Sequence, residues 1–543
     1  MYNEQKKLTF PSVFQETLKN FSSRTAYSFA GEASETYDQI DARIKSLISF
    51  LEKNGIVPGN RVAILSHNMP EWPVAYFSIT FMGAVAVPVL PDFSPTEIKN
   101  VLEHSGSRAV FVSSTLVQKL DGYRPDGLMI ISIEDFSVIS DVRGITSYNP
   151  DSRPGMVYSV EEEDLASIIY TSGTTGRSKG VMLTHKNIVF NAMKGAVIQP
   201  IDENDRFLSV LPLSHTYENT LGLILPLLAG ASVHYLRKPP TPSVLLPALE
   251  KVRPTMMLTV PLIIEKIYFN KIIPSVRENK IVSTLYKISF FRKKINAAAG
   301  KKLMKTFGAQ LKFFGIGGAK LNKAVEKFLI EAKFPYAIGY GLTETAPLLA
   351  GSNPKHTVFE STGPAIEGVE LKIHEPDSKT GEGEIWAKGP NVMKGYYKEP
   401  ELTKEVLTAD GWFRTGDLGV LDADNNLFIK GRLKNMILGA SGENIYPEEI
   451  ESIINNFRFV VESLVLEQKG KLVALVHLNM EELEKKYQTL KDDMAGKKEE
   501  LVNELKAYVN SHLSKFSQVQ KVIIHPEPFQ KTATLKIKRF LYA

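Results

Sequence analysis

Short runs rich in Val and Ile alternate with helix-like patterns through the first 430 residues, and this alternation constrains the fold more than any other feature. Arg61-Val62-Ala63-Ile64-Leu65, Ala109-Val110-Phe111-Val112 and Met129-Ile130-Ile131-Ser132 are examples. Strands that alternate with helices predict an α/β protein with parallel layers. From about Gly363 the texture changes to shorter strand-like pieces rich in Gly, such as Gly381-Glu382-Gly383-Glu384-Ile385-Trp386-Ala387. This predicts a small β-rich subdomain over about 363–430. After Lys430-Gly431-Arg432 the chain reads as α+β. A helix is expected to start at Pro447-Glu448-Glu449-Ile450-Glu451, with Pro early and acids in its first turn. A second, over Lys498 to Leu513, places Leu501, Leu505, Val509 and Leu513 on one core-facing stripe. The boundary is expected near 431–434, between a large unit of residues 1–430 and a small, mobile unit of residues 435–543.

The chain has 543 residues, too many for one hydrophobic core, which agrees with several compact units. Its 65 basic and 60 acidic residues leave a net charge of +5, which over this length gives no sign of nucleic-acid binding. There are no cysteines, which excludes a disulfide framework, a zinc-thiolate site and a cysteine nucleophile, and fits the cytoplasm. No apolar stretch follows the N-terminal Lys6-Lys7, so a secretory signal is not expected. The longest apolar run, about Leu221 to Val233, contains Gly222, Pro226 and Gly230. It is too short to span a bilayer and reads as core helix or strand.

The segment Tyr170-Thr171-Ser172-Gly173-Thr174-Thr175-Gly176-Arg177-Ser178-Lys179-Gly180 carries the strongest chemical signal. Glycines let the backbone turn tightly and aim N–H groups at an anion, hydroxyls add donors, and Lys179 adds positive charge. The segment follows an apolar strand at Ile168-Ile169 and does not fit the Walker spacing. In Tyr340-Gly341-Leu342-Thr343-Glu344-Thr345 a hydroxyl stands beside a carboxylate. Near a phosphate loop, that pair suits a phosphate donor and a ligand for Mg²⁺, which takes one or two carboxylates plus phosphate oxygens. In Trp412-Phe413-Arg414-Thr415-Gly416-Asp417 a carboxylate is available to accept two ribose hydroxyls.

Together these segments resemble the motifs of the adenylate-forming superfamily, which includes acyl-CoA synthetases, firefly luciferase and peptide-synthetase adenylation domains. Five motifs occur in the family's order over about residues 170 to 540. The resemblance implies that Thr171, Ser172, Gly173, Thr174, Thr175, Gly176 and Lys179 form the phosphate loop, with Ser178 where the family usually has Pro. It implies Thr343 on the α-phosphate, Glu344 on Mg²⁺, and Tyr340 and Gly341 against the nucleotide. Gly317 and Gly318, in Gly315-Ile316-Gly317-Gly318-Ala319, would admit the adenine. Asp417 would hold the ribose and Arg432 the nucleotide, and Lys434 would be the hinge about which the small unit turns. In Lys531-Thr532-Ala533-Thr534-Leu535-Lys536, Lys536 takes the place of the catalytic lysine. Leu535 replaces a glycine found in many members, as in long-chain acyl-CoA synthetases.

Leu211-Pro212-Leu213-Ser214-His215-Thr216-Tyr217-Glu218 resembles the gate motif of the long-chain branch, with His215 near the carboxylate channel. The expected activity is therefore ATP-dependent conversion of a long-chain fatty acid to acyl-AMP, then transfer to coenzyme A. Rival readings are an aryl or medium-chain acid, a carrier-protein thiol as acceptor, or a non-catalytic acyl-nucleotide sensor. Lys266 to Lys305 holds eleven Lys or Arg and one acid, Glu278, interleaved with Tyr268, Phe269, Tyr286, Phe290 and Phe291. That pattern suits an anionic membrane surface, the phosphates of coenzyme A, or a solvated helical face.

Overall fold

The computed structural model describes residues 6–123, 128–140, 148, 155, 157–172, 178–438, 443–487, 494–531 and 537–542. The Val- and Ile-rich runs form the strands Arg61–Leu65, Ala109–Val112 and Met129–Ser132, which pair in parallel with one another. Buried on both faces, such strands favour continuous apolar runs over alternation. They lie in an eight-stranded sheet ordered Gly395–Tyr396, Ser178–Thr184, Leu165–Ser172, Val85–Val89, Arg61–Leu65, Ala109–Val112, Met129–Ser132, Val138–Ser140. Its centre is parallel and its two ends are antiparallel.

A second eight-stranded sheet runs Leu348–Gly351, Tyr336–Gly341, Phe313–Ile316, Met256–Thr259, Arg206–Ser209, Ser232–Tyr235, Thr25–Phe29, Ser34–Thr36. One continuous core joins residues from the two sheets and from the helices Tyr37–Lys53, Glu71–Phe81 and His185–Ile198. Ten of the eleven residues of Glu71–Phe81 are buried, so this helix is apolar all round rather than striped. The apolar run from Leu221 is likewise core: it supplies helix Leu225–Ala229 and strand Ser232–Tyr235. Among the described residues no helix is long and apolar enough to cross a membrane.

A four-stranded antiparallel sheet follows, ordered Glu370–His374, Gly383–Lys388, Phe413–Leu421, Leu427–Arg432. Beyond it, Val460–Gln468, Lys471–Leu478 and Lys521–Ile524 form a three-stranded sheet. Helices Pro447–Ile454 and Met494–Asn510 cover this sheet, burying Ile450, Ile454, Leu501, Leu505 and Val509 in a core of its own. The first of these helices begins at the expected proline, and the second lies slightly N-terminal to the expected span. Polar contacts join this unit to the rest. Lys320 Nζ lies 3.0 Å from Glu449 Oε1, Asn322 Nδ2 donates to Asn456 Oδ1 at 2.6 Å, and the Tyr446 hydroxyl donates to Glu382 Oε2 at 2.6 Å.

Candidate active site

The phosphate-loop segment is the tip of a hairpin. Leu165–Ser172 and Ser178–Thr184 run antiparallel, with Thr171 opposite Lys179 and Ser172 opposite Ser178. Gly173, Thr174, Thr175 and Gly176 lie outside the described residues. Thr184 then caps helix His185–Ile198 by accepting the Asn187 N–H, while the Asn187 side chain caps the Thr184 N–H in return. The Asn187 amide also donates to the carbonyls of Pro390 and Val392, at 2.7 and 3.0 Å. This ties the hairpin to the segment leading to Tyr396, which pairs with Val181 at the hairpin's edge.

That pairing has a chemical result. The Lys179 ammonium sits 5.1 Å from the centre of the Tyr396 ring, and the Tyr396 hydroxyl donates to Glu344 Oε1 at 2.9 Å. Burial, reinforced by the Glu344 carboxylate, pushes the Tyr396 phenol above its usual range, so it remains a donor. Glu344 stands on the turn Thr343–Thr345 with Thr343 beside it. Two buried amides brace this turn: Asn191 and Asn391 both donate to the Leu348 carbonyl, at 2.8 and 2.9 Å, and Asn391 also to the Thr345 carbonyl at 2.9 Å. Gly341 closes the hairpin that precedes it, where any Cβ would stand 1.9 Å from the Pro347 carbonyl oxygen.

A second cluster lies on the small antiparallel sheet. Asp417 and Arg432 are direct cross-strand partners, with Arg432 Nε 2.9 Å from Asp417 Oδ1. The Tyr340 hydroxyl donates to Asp417 Oδ2 at 2.8 Å. Burial and the Asp417 carboxylate push the Tyr340 phenol well above its usual range. Asp417 is itself buried, and these two partners offset part of the cost of burying its carboxylate. On the same sheet, Glu384 accepts from the Gly416 N–H at 3.0 Å and from the Trp386 indole at 2.8 Å.

Gly317 and Gly318 follow strand Phe313–Ile316, and Gly318 has φ of +84°, a conformation that favours glycine. A Cβ on Gly317 would stand 3.2 Å from the Tyr217 ring, so the missing side chain leaves a slot beside that ring. His215 caps the short helix Thr216–Glu218, its Nδ1 accepting the Tyr217 N–H at 3.2 Å. Next to it Glu218 is fully buried, with Ser209 Oγ donating to it at 2.5 Å, and burial pushes its carboxyl up to about 8.

The expected residues are thus placed in three groups: Lys179 with Glu344, Tyr340 with Asp417 and Arg432, and Gly317 with the His215 segment. Lys434 lies exposed on the turn Leu433–Asn435, whose Asn435 amide donates to Glu448 at 2.6 Å. Lys536 lies outside the described residues. Tyr396, Asn191, Asn391 and Glu384 carried no signal in the sequence, because each acts at least in part through pairing with a distant segment. Among the described residues no three His, Asp or Glu side chains could cage a metal. Glu344, with one hydroxyl donor and partial exposure, fits instead an Mg²⁺ ion that shares its coordination with phosphate oxygens.

This chain is 29% identical to long chain acyl-CoA synthetase 7, peroxisomal, of Arabidopsis thaliana, over 93% of this chain and 79% of that protein. It is 28% identical to 4-coumarate–CoA ligase of Vanilla planifolia, over 86% of this chain and 82% of the other. Its fold is similar to that of o-succinylbenzoate CoA synthetase from Bacillus subtilis, solved in complex with its acyl-adenylate intermediate. The TM-score is 0.77 at 24% identity, covering 98% of both chains. A benzoate CoA ligase from Burkholderia xenovorans gives 0.76 at 22% identity over 99% of both chains. The family model for AMP-binding enzymes matches residues 14–397, and the chain therefore belongs to that family, the adenylate-forming enzymes whose motifs it carries in order.

Proposed function

We propose that this AMP-forming acid–coenzyme A ligase activates a long-chain fatty acid. The observation that supports it best is the convergence of Lys179, Tyr396 and Glu344 at one end of the hairpin, with Tyr340, Asp417 and Arg432 available for the nucleoside. In the first half-reaction a carboxylate oxygen attacks the α-phosphorus of ATP and the bond to pyrophosphate breaks. Negative charge grows on the phosphate oxygens, so donors fixed in advance lower the barrier. Lys179 and the hairpin's hydroxyls would bind the phosphates, Thr343 the α-phosphate, and Asp417 the ribose. Mg²⁺, held at Glu344 together with phosphate oxygens, would neutralise part of their charge. In the second half-reaction the thiol sulfur of coenzyme A attacks the acyl carbon, AMP leaves, and the thiol proton is released. No protein nucleophile is needed, in keeping with a chain that has no cysteine.

Residues 435–543 would form the small unit that turns about Lys434 and brings Lys536 to the α-phosphate for the first step only. The long-chain reading draws on the Arabidopsis relative and on the partly buried His215 to Glu218 segment beside Gly317. Such an acid would be collected peripherally, at an anionic membrane. A second reading, an aryl acid, is favoured by the 4-coumarate relative. Pyrophosphate release over a panel of acids, with and without coenzyme A, separates the two. Burial at about 0.8 kcal/mol per CH₂ predicts that kcat/KM rises with chain length until the tunnel is filled. Preference for benzoate or coumarate over every fatty acid overturns the long-chain reading. Lys536→Ala should lose about 10²–10³ in adenylation yet still convert supplied acyl-adenylate to thioester. Lys434→Pro should do the reverse, because a fixed φ resists the turn.

A further inference from the structure

The basic–aromatic segment folds into helices, and its most exposed apolar groups lie on Lys280–Tyr286 and around the start of Ser289–Thr306. Ile281 is 72% exposed, Phe290 60% and Ile288 51%, with Phe291 beside them. Ile281 is the most exposed large apolar side chain among the described residues. The Lys294 ammonium lies 4.4 Å from the centre of the Phe290 ring. Lys280, Lys287 and Lys293 are also exposed, and none of these four lysines has a carboxylate partner among the described residues.

The corner is held rigidly from behind. Arg292 Nη2 donates to Glu331 Oε1 at 2.9 Å, Asn296 donates to Glu331 Oε2 at 2.7 Å, and the Tyr286 hydroxyl donates to Asn296 at 3.0 Å. Gly300 lets the helix press against Lys323–Ala332, since a Cβ there would stand 2.3 Å from the Ala332 carbonyl oxygen. Polar groups on the packed side are thus paired, while Ile281, Ile288 and Phe290 are exposed in a segment whose four lysines have no carboxylate partner among the described residues. Phosphates of coenzyme A would satisfy the lysines but leave Ile281, Ile288 and Phe290 in water. An anionic bilayer satisfies both, with phosphates at the headgroup level and an apolar layer beneath.

We propose that this corner is a docking wedge for an anionic membrane, seating Ile281, Ile288 and Phe290 below the headgroups. The partner rests on the fatty-acid reading, because such an acid partitions into the bilayer. The test is sedimentation of the full chain with phosphatidylcholine vesicles, with and without phosphatidylglycerol. Binding is expected only with phosphatidylglycerol, at low salt, and is lost as salt rises. Replacing Ile281 and Phe290 together by Ser should weaken partitioning at least about tenfold. Each of Lys287→Gln and Lys293→Gln should weaken it about fivefold. Pyrophosphate release with a soluble short acid, measured on the same variants, should stay at the parent's value. If that activity is also lost, Phe290→Trp decides: blue-shifted emission on adding phosphatidylglycerol vesicles supports the wedge, and unchanged emission overturns it. Absence of binding at low salt, or serine variants that bind like the parent, overturns it too. So does a pattern in which the lysine variants raise KM for coenzyme A and leave vesicle binding unchanged. Vesicle binding by an enzyme that prefers aryl acids would retain the wedge and reject the fatty-acid reading.

Discussion

Tyr396→Phe removes one hydroxyl and little else. The ring stays under the Lys179 ammonium, so its 5.1 Å contact is preserved, and the strand pairing with Val181 uses only backbone. What is lost is the donor that meets Glu344 Oε1 at 2.9 Å. A hydrogen bond to a charged group contributes about 1.5–3 kcal/mol when enclosed. Glu344 is partly exposed and water can replace the hydroxyl, so the lower end applies, about 1–2 kcal/mol. If Tyr396 orients Glu344 for Mg²⁺, that energy should appear as an apparent Mg²⁺ requirement raised about 5- to 30-fold. The assay is ATP–pyrophosphate exchange at saturating acid, titrated with Mg²⁺ for parent and variant. High Mg²⁺ should restore the maximal rate, because the carboxylate itself is intact. An unchanged Mg²⁺ dependence, or a lost maximal rate that metal does not restore, would refute the assignment of Tyr396 as a positioning residue for Glu344.

Asp417→Asn keeps shape but weakens the hold on Arg432 and on the ribose, and it should raise KM for ATP about tenfold or more with little change in kcat. Asp417→Ala should also lower the urea midpoint, because Tyr340 and Arg432 lose their shared acceptor. Gly341→Ala should destabilise by at least about 1–3 kcal/mol, since its Cβ would sit on the Pro347 carbonyl oxygen. The fold would have to open that hairpin, which urea unfolding reads directly. Glu218 is raised from 4.5 to about 8 in the folded chain. Its contribution to stability is therefore fully present at acid pH and falls as pH rises from about 4.5 to about 8. Thermal unfolding across that window should fall less steeply with pH for Glu218→Gln than for the parent, and parallel curves would contradict this.

How much of this was legible in the sequence depends on whether a residue's role is local. Arg61–Leu65, Ala109–Val112 and Met129–Ser132 could be read to the residue because strands buried on both faces leave short, largely apolar runs rich in Val and Ile. The helix start at Pro447 was legible because a proline and acidic residues suit the first turn for local reasons. The helix Met494–Asn510 begins before the first residue of its apolar stripe, so periodicity alone placed it late. In the site, Lys179, Glu344, Asp417 and Arg432 stood inside contiguous motifs. Tyr396 stands in a strand of two residues, too short for any period to show. Asn191 sits on a helix where an amide normally faces water, and only the carbonyls of a remote turn explain its burial. Glu384 lies in the Gly-rich segment expected to form strand, yet its carboxylate joins Trp386 on its own strand to the Gly416 N–H on the neighbouring one, a pairing the segment alone does not show.

Among the described residues, the side-chain clasp between the small unit and the rest of the chain includes one ion pair and three hydrogen bonds, at Lys320, Asn322 and Tyr446. An exposed ion pair contributes about 0–1 kcal/mol, a neutral hydrogen bond about 0.5–1.5 kcal/mol, and one to a carboxylate about 1.5–3 kcal/mol. The clasp therefore biases the equilibrium between orientations by a few kcal/mol, about 2.5–7 at most. A ligand that binds one orientation about 10⁴-fold more tightly inverts a 1:99 ratio, which takes about 5.5 kcal/mol. Differences of that order lie within reach of a nucleotide that gains or loses contact with a lysine on its phosphate. The occupants of the nucleotide pocket, working with or against the clasp, would then set which orientation predominates at each stage of turnover. Strengthening the clasp, for example with a second ion pair, would populate one state at the expense of the other and slow the cycle while leaving each half-reaction's chemistry intact.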